Sequence, residues 1–300
     1  ASRDAIGFRT NRVDQIDSFE ERDLIKGEFR NFGFESRILH EYKLLGKKSK
    51  VLLGTKFYKA NNSNSQGPGS NGPGPDFSFK TEQYPDYQSQ SAYDYPNLNT
   101  AFFGEQIIYL KENLSVTPGF RIEYIKTESE GYYKNINLDA AGNLLLNETI
   151  YSNDTRRRSF VLFGIGSSYK PSKYLEVYNN ISQNYRSVTF ADISIVNPAF
   201  VINPDITDEK GYNLDIGVRG VFKKIVSYDL SAFMLYYNDR IGFVQKVFQD
   251  GNVKSERGNV GNAVIYGLET LVDFNLIKLF DIDYDYAASL FLNTSFIDSN

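Results

Sequence analysis

Residues 211–222, Gly-Tyr-Asn-Leu-Asp-Ile-Gly-Val-Arg-Gly-Val-Phe, predict a β-strand with two different faces. Side chains of a strand point alternately to its two sides, so every second residue shares a face. One face is apolar and aromatic and the other is polar or small, with Tyr212, Leu214, Ile216 and Val218 on the first and Asn213, Asp215, Gly217 and Arg219 on the second. The stretch therefore predicts a sheet that separates an apolar environment from a polar one.

The residues after this strand repeat its pattern and are joined by connections of unequal length. Lys223 and Lys224 make a short turn into a second alternating segment, 227–241, and a polar loop leads to a third, 259–269. Outer-membrane barrels combine strands of about ten residues, short turns at one end and long loops at the other. We therefore predict an all-β fold, an antiparallel transmembrane β-barrel.

Composition supports a sheet and excludes several classes of function. The 300 residues include 22 Tyr and 23 Phe, which favour strands, and the net charge of -4 lacks the basic excess of a nucleic-acid binder. With no cysteine and a single histidine, His40, the chain has no thiol nucleophile and no multi-histidine metal site, and we expect no catalytic triad. We expect no enzyme activity, no catalytic residue, no metal site and no cofactor.

The remaining segments divide into strands and long polar loops. Alternation predicts about ten strands in roughly five hairpins, the last of them across 281–286. Gly, Pro, Asn and Ser interrupt the pattern and predict long extracellular loops at about 60–98, 128–156, 187–210 and 246–258. The whole chain, 1–300, is expected to form one partial barrel domain.

Two groups of side chains are candidates for ligand contact. The first loop is rich in aromatic rings, at Phe77, Phe79, Tyr84, Tyr87, Tyr93 and Tyr95. Arginines stand where strands meet loops, at Arg156, Arg157, Arg158 and Arg186. Guanidinium groups bind carboxylates through two parallel hydrogen bonds, so these arginines would suit an anionic chelate. Solvated charges or contacts with lipopolysaccharide at the rim are the alternative interpretation.

Several segments resemble TonB-dependent outer-membrane receptors. The resemblance is carried by Leu114–Tyr124 (Leu-Ser-Val-Thr-Pro-Gly-Phe-Arg-Ile-Glu-Tyr), by Asn203–Arg219, which begins Asn-Pro-Asp, and by Asn259–Glu269, which ends Gly-Leu-Glu. Their order and spacing match the family over residues 30–300. Within that family, the general sequence pattern of the chain is most similar to that of the ferric-citrate or siderophore type of receptor.

The resemblance implies a fold, a location and partners. The fold would be a barrel of about 22 strands, of which this chain supplies roughly the middle half without the plug domain. The protein would lie in the bacterial outer membrane, in contact with lipid and lipopolysaccharide. It would bind an iron chelate, ferric citrate or another siderophore, and import it with energy from TonB acting on the plug.

Two other functions fit the same pattern. A TonB-dependent glycan importer has the same architecture, with aromatic loops that stack on sugars. A β-rich surface adhesion or binding protein would also contain a large antiparallel sheet, but it would not expose a continuous apolar belt.

Overall fold

A computed structural model describes residues 2–7, 21–44, 46–72, 74–139, 141–189, 192, 200–247, 253–282 and 287–300. Its twelve strands are β1 (Ser2–Gly7), β2 (Asp23–Leu44), β3 (Lys47–Pro68), β4 (Ser91–Lys111), β5 (Leu114–Leu138), β6 (Leu144–Ser172), β7 (Leu175–Arg186), β8 (Phe200–Ile202), β9 (Glu209–Phe222), β10 (Val226–Val247), β11 (Val253–Asn275) and β12 (Ser289–Ser299). One short helix, α1 (Leu276–Leu279), follows β11. No helix in these ranges is long and apolar enough to cross a membrane.

The strands form one antiparallel sheet in which most neighbours in sequence are also neighbours in space. Its order is β1 to β7 and then β9 to β12, and the short β8 pairs in parallel with β11. Tight connections at 45–46, 112–113, 173–174 and 223–225 all lie at one end, which we call the turn end. The opposite end, with the connections 69–90, 139–143 and 187–208, is called the loop end. The predicted asymmetry of the connections is therefore present.

The turn between β9 and β10 shows why the chain can reverse so tightly here. Phe222 pairs with Val226, and the lysines between them have left-handed backbone angles, φ 51° at Lys223 and 58° at Lys224. Positive φ values give a turn whose twist matches that of the flanking strands. This hairpin fixes the register that places Ile216 opposite Ala232.

The sheet has the inside-out pattern of a membrane barrel. On the face that we call outer, register aligns two apolar rows across β2 to β6: Ile38, Leu53, Gly104, Phe120 and Phe163, and next to them Ser36, Thr55, Phe102, Ile122 and Val161. Their large apolar members are exposed, Phe163 by 61% and Ile38 by 70%. The opposite, inner face of these strands carries Arg37, Lys56, Glu105 and Arg121. Lipid is the solvent that such an outer face requires.

Several predicted boundaries were wrong because strand pairing extends through polar sequence. Residues 61–66 of the predicted loop 60–98 belong to β3 and pair with 25–30 of β2. The predicted loop 128–156 is largely a hairpin of β5 and β6, leaving only 139–143 as a connection, and 253–258 of the predicted loop 246–258 belong to β11. Ladder hydrogen bonds to a neighbouring strand outweigh the weak intrinsic preferences of Asn and Ser.

Two further expectations need correction. The described residues contain twelve strands rather than about ten, and the three-residue β8 was not predicted. The prediction of a strand across 281–286 is wrong for residues 281 and 282. They follow α1, and Asp281 has a left-handed backbone, with φ 51°. Residues 283–286 of that prediction lie outside the described residues. The strand that follows is β12.

Candidate functional site

Strands β6 and β7 stop pairing well before either strand ends. Their ladder runs towards the loop end only as far as Gly164 and Ser182, whereas β6 continues back to Leu144 and β7 continues to Arg186. Beyond this point, side chains of β6 bind the connection between β7 and β9, residues 187–208, of which 187–189, 192 and 200–208 are described. We call these residues the β7–β9 connection. Three of the four predicted arginines, Arg156, Arg158 and Arg186, bind this connection.

Arg158 is the main link between β6 and this connection. Its Nε donates to both carboxylate oxygens of Asp208, at 2.8 and 2.7 Å, and its Nη1 donates to Thr127 Oγ1 at 2.8 Å. Asp208 also accepts the backbone N–H of Val188 at 2.7 Å and the hydroxyl of Tyr185. The side chain of Arg158 is only 9% exposed and that of Asp208 18%, so both partners of this pair are largely withdrawn from water. Such a pair holds its partners together strongly once formed.

Arg156, two residues before Arg158 and on the same face, reinforces this link. Its Nη1 donates to the carbonyl oxygen of Ile206 at 2.9 Å, and its Nε pairs with Asp154 at 3.0 Å. Arg157 lies between them and points to the outer face, where it is exposed. Strand alternation therefore separates three consecutive arginines into two that bind the connection and one that does not.

A second cluster, which we call the Asp192 cluster, ties the connection to three strands. Asp192 is fully buried and accepts hydrogen bonds from Arg186 Nη2 at 3.1 Å and from Arg257 Nε at 3.0 Å. Thr189 donates to the same carboxylate through its backbone N–H at 2.7 Å and its hydroxyl at 2.8 Å. Arg186 also pairs with Glu209 at 2.9 Å. Because Arg186, Glu209 and Arg257 belong to β7, β9 and β11, the cluster connects three strands of the sheet.

Hydrogen bonding dominates the ionisation of Asp192. Burial opposes the charged form, but the bonds from Thr189, Arg257 and Arg186 to the carboxylate outweigh burial and lower the pKa of Asp192 below its usual value. The carboxylate is therefore ionised throughout the physiological range and balances the two guanidinium groups.

A small apolar core and two hydrogen bonds between backbone and side chains complete the anchoring. Val188, Ile206 and Ile241 are buried against one another. The Glu209 carboxylate accepts the backbone N–H of Ile241 at 2.8 Å, and Asn259 Oδ1 accepts the N–H of Thr207 at 2.7 Å. The described part of the β7–β9 connection is thus packed against the sheet and is not an open loop.

The predicted aromatic residues divide into accessible and packed rings. Phe77 is exposed, Tyr84 is half-buried and receives a hydrogen bond from Gln83, and Phe79 lies 5.5 Å from the ammonium of Lys26. Tyr87 is buried, and its hydroxyl donates to Asp23 at 2.7 Å. Tyr93 and Tyr95 were predicted in a loop, but they are buried, stacked residues of β4. Phe77, Phe79 and Tyr84 thus remain available to a ligand.

Sequence reasoning missed the acidic partners of the arginines and one further arginine. Asp192, Asp208, Glu209 and Arg257 carry much of the anchoring, and none was a candidate. Arg257 and Asp192 are 65 positions apart, and Arg158 and Asp208 are 50 apart. The one sequence feature that could have indicated these partners is the acidic stretch from Asp205 to Glu209, at the start of β9. Among the described residues, no group of three or more acidic or histidine side chains is placed to hold a metal ion.

Comparison with known proteins identifies the fold family. The family model described as TonB dependent receptor-like, beta-barrel matches residues 2–300. The chain belongs to this family. TonB-dependent receptors are outer-membrane proteins of bacteria and are transporters, not enzymes.

Solved structures agree with this assignment at the level of the fold. The chain is similar to the ferric citrate transporter FecA in its unliganded form, with 14% identity, a TM-score of 0.65, and 93% of this chain and 37% of that chain covered. For the copper transporter OprC the identity is 16%, the TM-score 0.62 and the coverage 98% and 42%. For the ferric yersiniabactin uptake receptor FyuA from Yersinia pestis the values are 14%, 0.58, 93% and 38%. The chain thus spans about two fifths of these proteins' length, and no curated protein matches it.

Proposed function

We propose that this TonB-dependent receptor binds an iron chelate, ferric citrate or another siderophore, and imports it with energy from TonB. The observation that carries the proposal is the inside-out sheet, whose outer face suits lipid and whose inner face presents charged and hydroxyl groups to an aqueous lumen. Two of the three structural relatives reported above are named for ferric chelates. By the usual asymmetry of outer-membrane barrels, we place the loop end outside the cell and the turn end in the periplasm.

Composition favours a chelate over a bare copper ion, the cargo named for the third relative. Copper sites use thiolate, thioether or imidazole ligands. This chain has no cysteine, one methionine and one histidine. Met234 and His40 both belong to the lipid-facing rows, Met234 opposite Leu214 and His40 opposite Val51. Within this chain they do not meet in the lumen. An iron ion already wrapped by its own chelator needs no such ligands from the protein.

The accessible rings of the 69–90 connection are the proposed first contacts. Phe77 and Tyr84 are the exposed and half-exposed aromatic residues there, with Phe79 beside them. Aromatic faces bind flat or catecholate groups by stacking. Arg156, Arg158 and Arg186 are proposed as a second set of ligand contacts. Because they already bind carboxylates of the chain, a ligand would contact them only by displacing those carboxylates. A citrate carboxylate offers Arg158 the same two oxygens as Asp208 does.

Calorimetric titration of the full-length polypeptide in detergent tests the proposal. Ferric citrate should give saturable binding, whereas citrate alone and haem should not. A receptor with both Phe77→Ala and Tyr84→Ala should bind about tenfold more weakly, while Phe280→Ala, an exposed ring at the turn end, should leave the affinity unchanged. If an intact barrel binds none of these compounds, another siderophore or a glycan becomes the expected cargo.

Energy coupling and membrane contacts form the rest of the proposal. We propose TonB as the energy source and lipid with lipopolysaccharide as the surroundings of the outer face. Uptake of radiolabelled ferric iron by cells that express the receptor should disappear when TonB is deleted. Uptake that persists without TonB would contradict the coupling but not the chelate binding measured by calorimetry.

A further inference from the structure

A row with three cationic side chains lies near the apolar rows of the outer face, on their loop-end side. Register aligns Phe32, Lys59, Leu98, Lys126 and Arg157 across five consecutive strands. The rows on its turn-end side contain the exposed residues Phe102, Ile122 and Val161. Between those rows and the cations lie Tyr124 and Ser159, which pair with each other. The cations thus begin where the apolar surface ends.

Lys126 and Arg157 are directly opposite each other on adjacent strands. Strands are about 4.8 Å apart, and like charges placed opposite each other across a ladder repel and destabilise the sheet. One of these two charges is compensated, because the carboxylate of Glu128 pairs with Lys126 at 2.7 Å. Arg157 is exposed and makes no hydrogen bond or ion pair within the described part of the chain. Among the described residues, the pair of Lys126 with Glu128 is thus the one ion pair formed by the three cations when Lys59, also exposed, is included.

The neighbouring arginines show that this arrangement is not a general lack of acidic partners. Arg156 and Arg158 each have a carboxylate within about 3 Å on the inner face. On the outer face Arg30, which lies one row closer to the loop end, pairs with Glu28 at 3.0 Å. Arg157 alone of the 156–158 run projects its charge towards the membrane interface without an acidic partner.

We propose that Arg157 and Lys126, supported by Lys59, bind the phosphate group of an anionic lipid of the outer leaflet, an inference that rests on the orientation and membrane contacts in the proposed function. A guanidinium donates two parallel hydrogen bonds to phosphate oxygens, and the ammonium of Lys126 supplies a second charge to the same group. A bound phosphate would remove the repulsion between the opposed cations. The exposed apolar residues in the rows below would contact the acyl chains of the same molecule.

Lipid retention measures this site directly. The full-length receptor is reconstituted into nanodiscs of phosphatidylcholine containing a few per cent of bisphosphorylated lipid A, extracted into mild detergent, and analysed by native mass spectrometry for bound lipid A. The double variant Arg157→Gln with Lys126→Gln should retain about tenfold less lipid A than the natural receptor. Arg30→Gln, which removes a compensated cation from the same face, should retain as much as the natural receptor.

Two further arms distinguish binding of the lipid from binding of a free anion. Lipid A without phosphates should be retained equally poorly by the natural receptor and the double variant, and inorganic phosphate should not displace bound lipid A. Equal retention of bisphosphorylated lipid A by the double variant, shown to be folded by its heat-modifiable migration in gels, would overturn the proposal. Displacement by inorganic phosphate at low millimolar concentration would identify a simple anion site and overturn the assignment to a lipid.

Discussion

The adjacent residues Arg157 and Arg158 offer a matched pair for measuring the anchoring of the β7–β9 connection. Arg158→Gln breaks a largely buried pair with Asp208 and leaves that carboxylate partly compensated by Val188 and Tyr185, so we expect a loss of about 2–4 kcal/mol of unfolding free energy. Arg157→Gln removes an exposed cation and should change stability by less than about 0.5 kcal/mol. Reversible urea unfolding in bilayers measures both.

If Arg158→Gln and Arg157→Gln had the same small effect, the pair with Asp208 would contribute little and the anchoring would rest on the apolar core. Asp208→Asn is the complementary variant. It should approach the loss seen with Arg158→Gln, and the double variant should lose less than the sum of the two single losses because they remove the same interaction.

The Asp192 cluster sets the pH dependence of the connection. The folded pKa of Asp192 is lowered relative to the unfolded chain, where it is near 3.8. A depressed carboxylate pKa gives stability that is fully present above the unfolded value and is lost as the pH falls through the folded one. Hydrogen exchange of 187–189 and 200–208 should therefore stay constant from pH 7 down to about 5 once corrected for intrinsic rates, and protection should fall below about 4.

Asp192→Asn provides the control for that titration. It removes the charge that balances Arg186 and Arg257, so the connection should exchange faster at pH 7 and should show no further acid step between pH 5 and 3. An unchanged acid step in this variant would assign the titration to another carboxylate.

Gly211, near the start of β9, is packed closely against the backbone of the neighbouring strand. A Cβ atom on Gly211 would overlap with the carbonyl oxygen of Tyr236 on the neighbouring strand and lie 2.9 Å from Asn184 Oδ1. Gly211→Ala should therefore disturb the pairing of β9 with β10 and cost about 1–3 kcal/mol. Gly119→Ala is the control, because its nearest neighbour, the carbonyl oxygen of Gly104, is at 3.4 Å. The yield of heat-modifiable, folded receptor compares the two.

At the scale of elements, the sequence predicts the type of structure better than its extent. Alternation at Tyr212, Leu214 and Ile216 identifies β9 and both of its faces, because one side is apolar and the other is polar or small. The strand 61–66 could not be read in this way, since its Asn and Ser residues lie beyond the apolar rows and have no apolar face to reveal. Its strand character comes from pairing with β2, which is information from another part of the chain.

The candidate site shows the same limit for a different reason. Arg158 and Arg186 are predicted as contacts for the carboxylates of a ligand, whereas in the structure both bind carboxylates of the chain. The carboxylates belong to Asp208, Asp192 and Glu209 of the chain itself, and no local pattern shows that these residues meet. Residue types predict the kind of interaction, whereas topology decides the partner.

At the scale of the whole molecule, the orientation of the sheet in the membrane can be tested with two neighbouring positions. Ile216 is 53% exposed on the outer face, and Asn180, on the strand beside it, is on the inner face. Ile216→Lys should cost about 2–4 kcal/mol at the centre of the bilayer and less near an interface. Asn180→Lys, placed opposite Asp215, should change stability by less than about 0.5 kcal/mol. Urea titration in bilayers measures both, and equal costs would contradict the assignment of the two faces.

The length of β6 changes what a molecule approaching the cell encounters. Its 29 residues extend for about 95 Å along the strand, whereas a tilted strand crosses the hydrocarbon layer in about ten residues. Most of the strand would then stand clear of the bilayer as a stiff, twisted ribbon. An antibody or a phage tail fibre would meet side chains held at fixed spacing, so its epitope on 144–156 would exist only in the folded receptor. Antibodies raised against the intact protein should fail to bind it after boiling and should be competed poorly by the free 144–156 peptide.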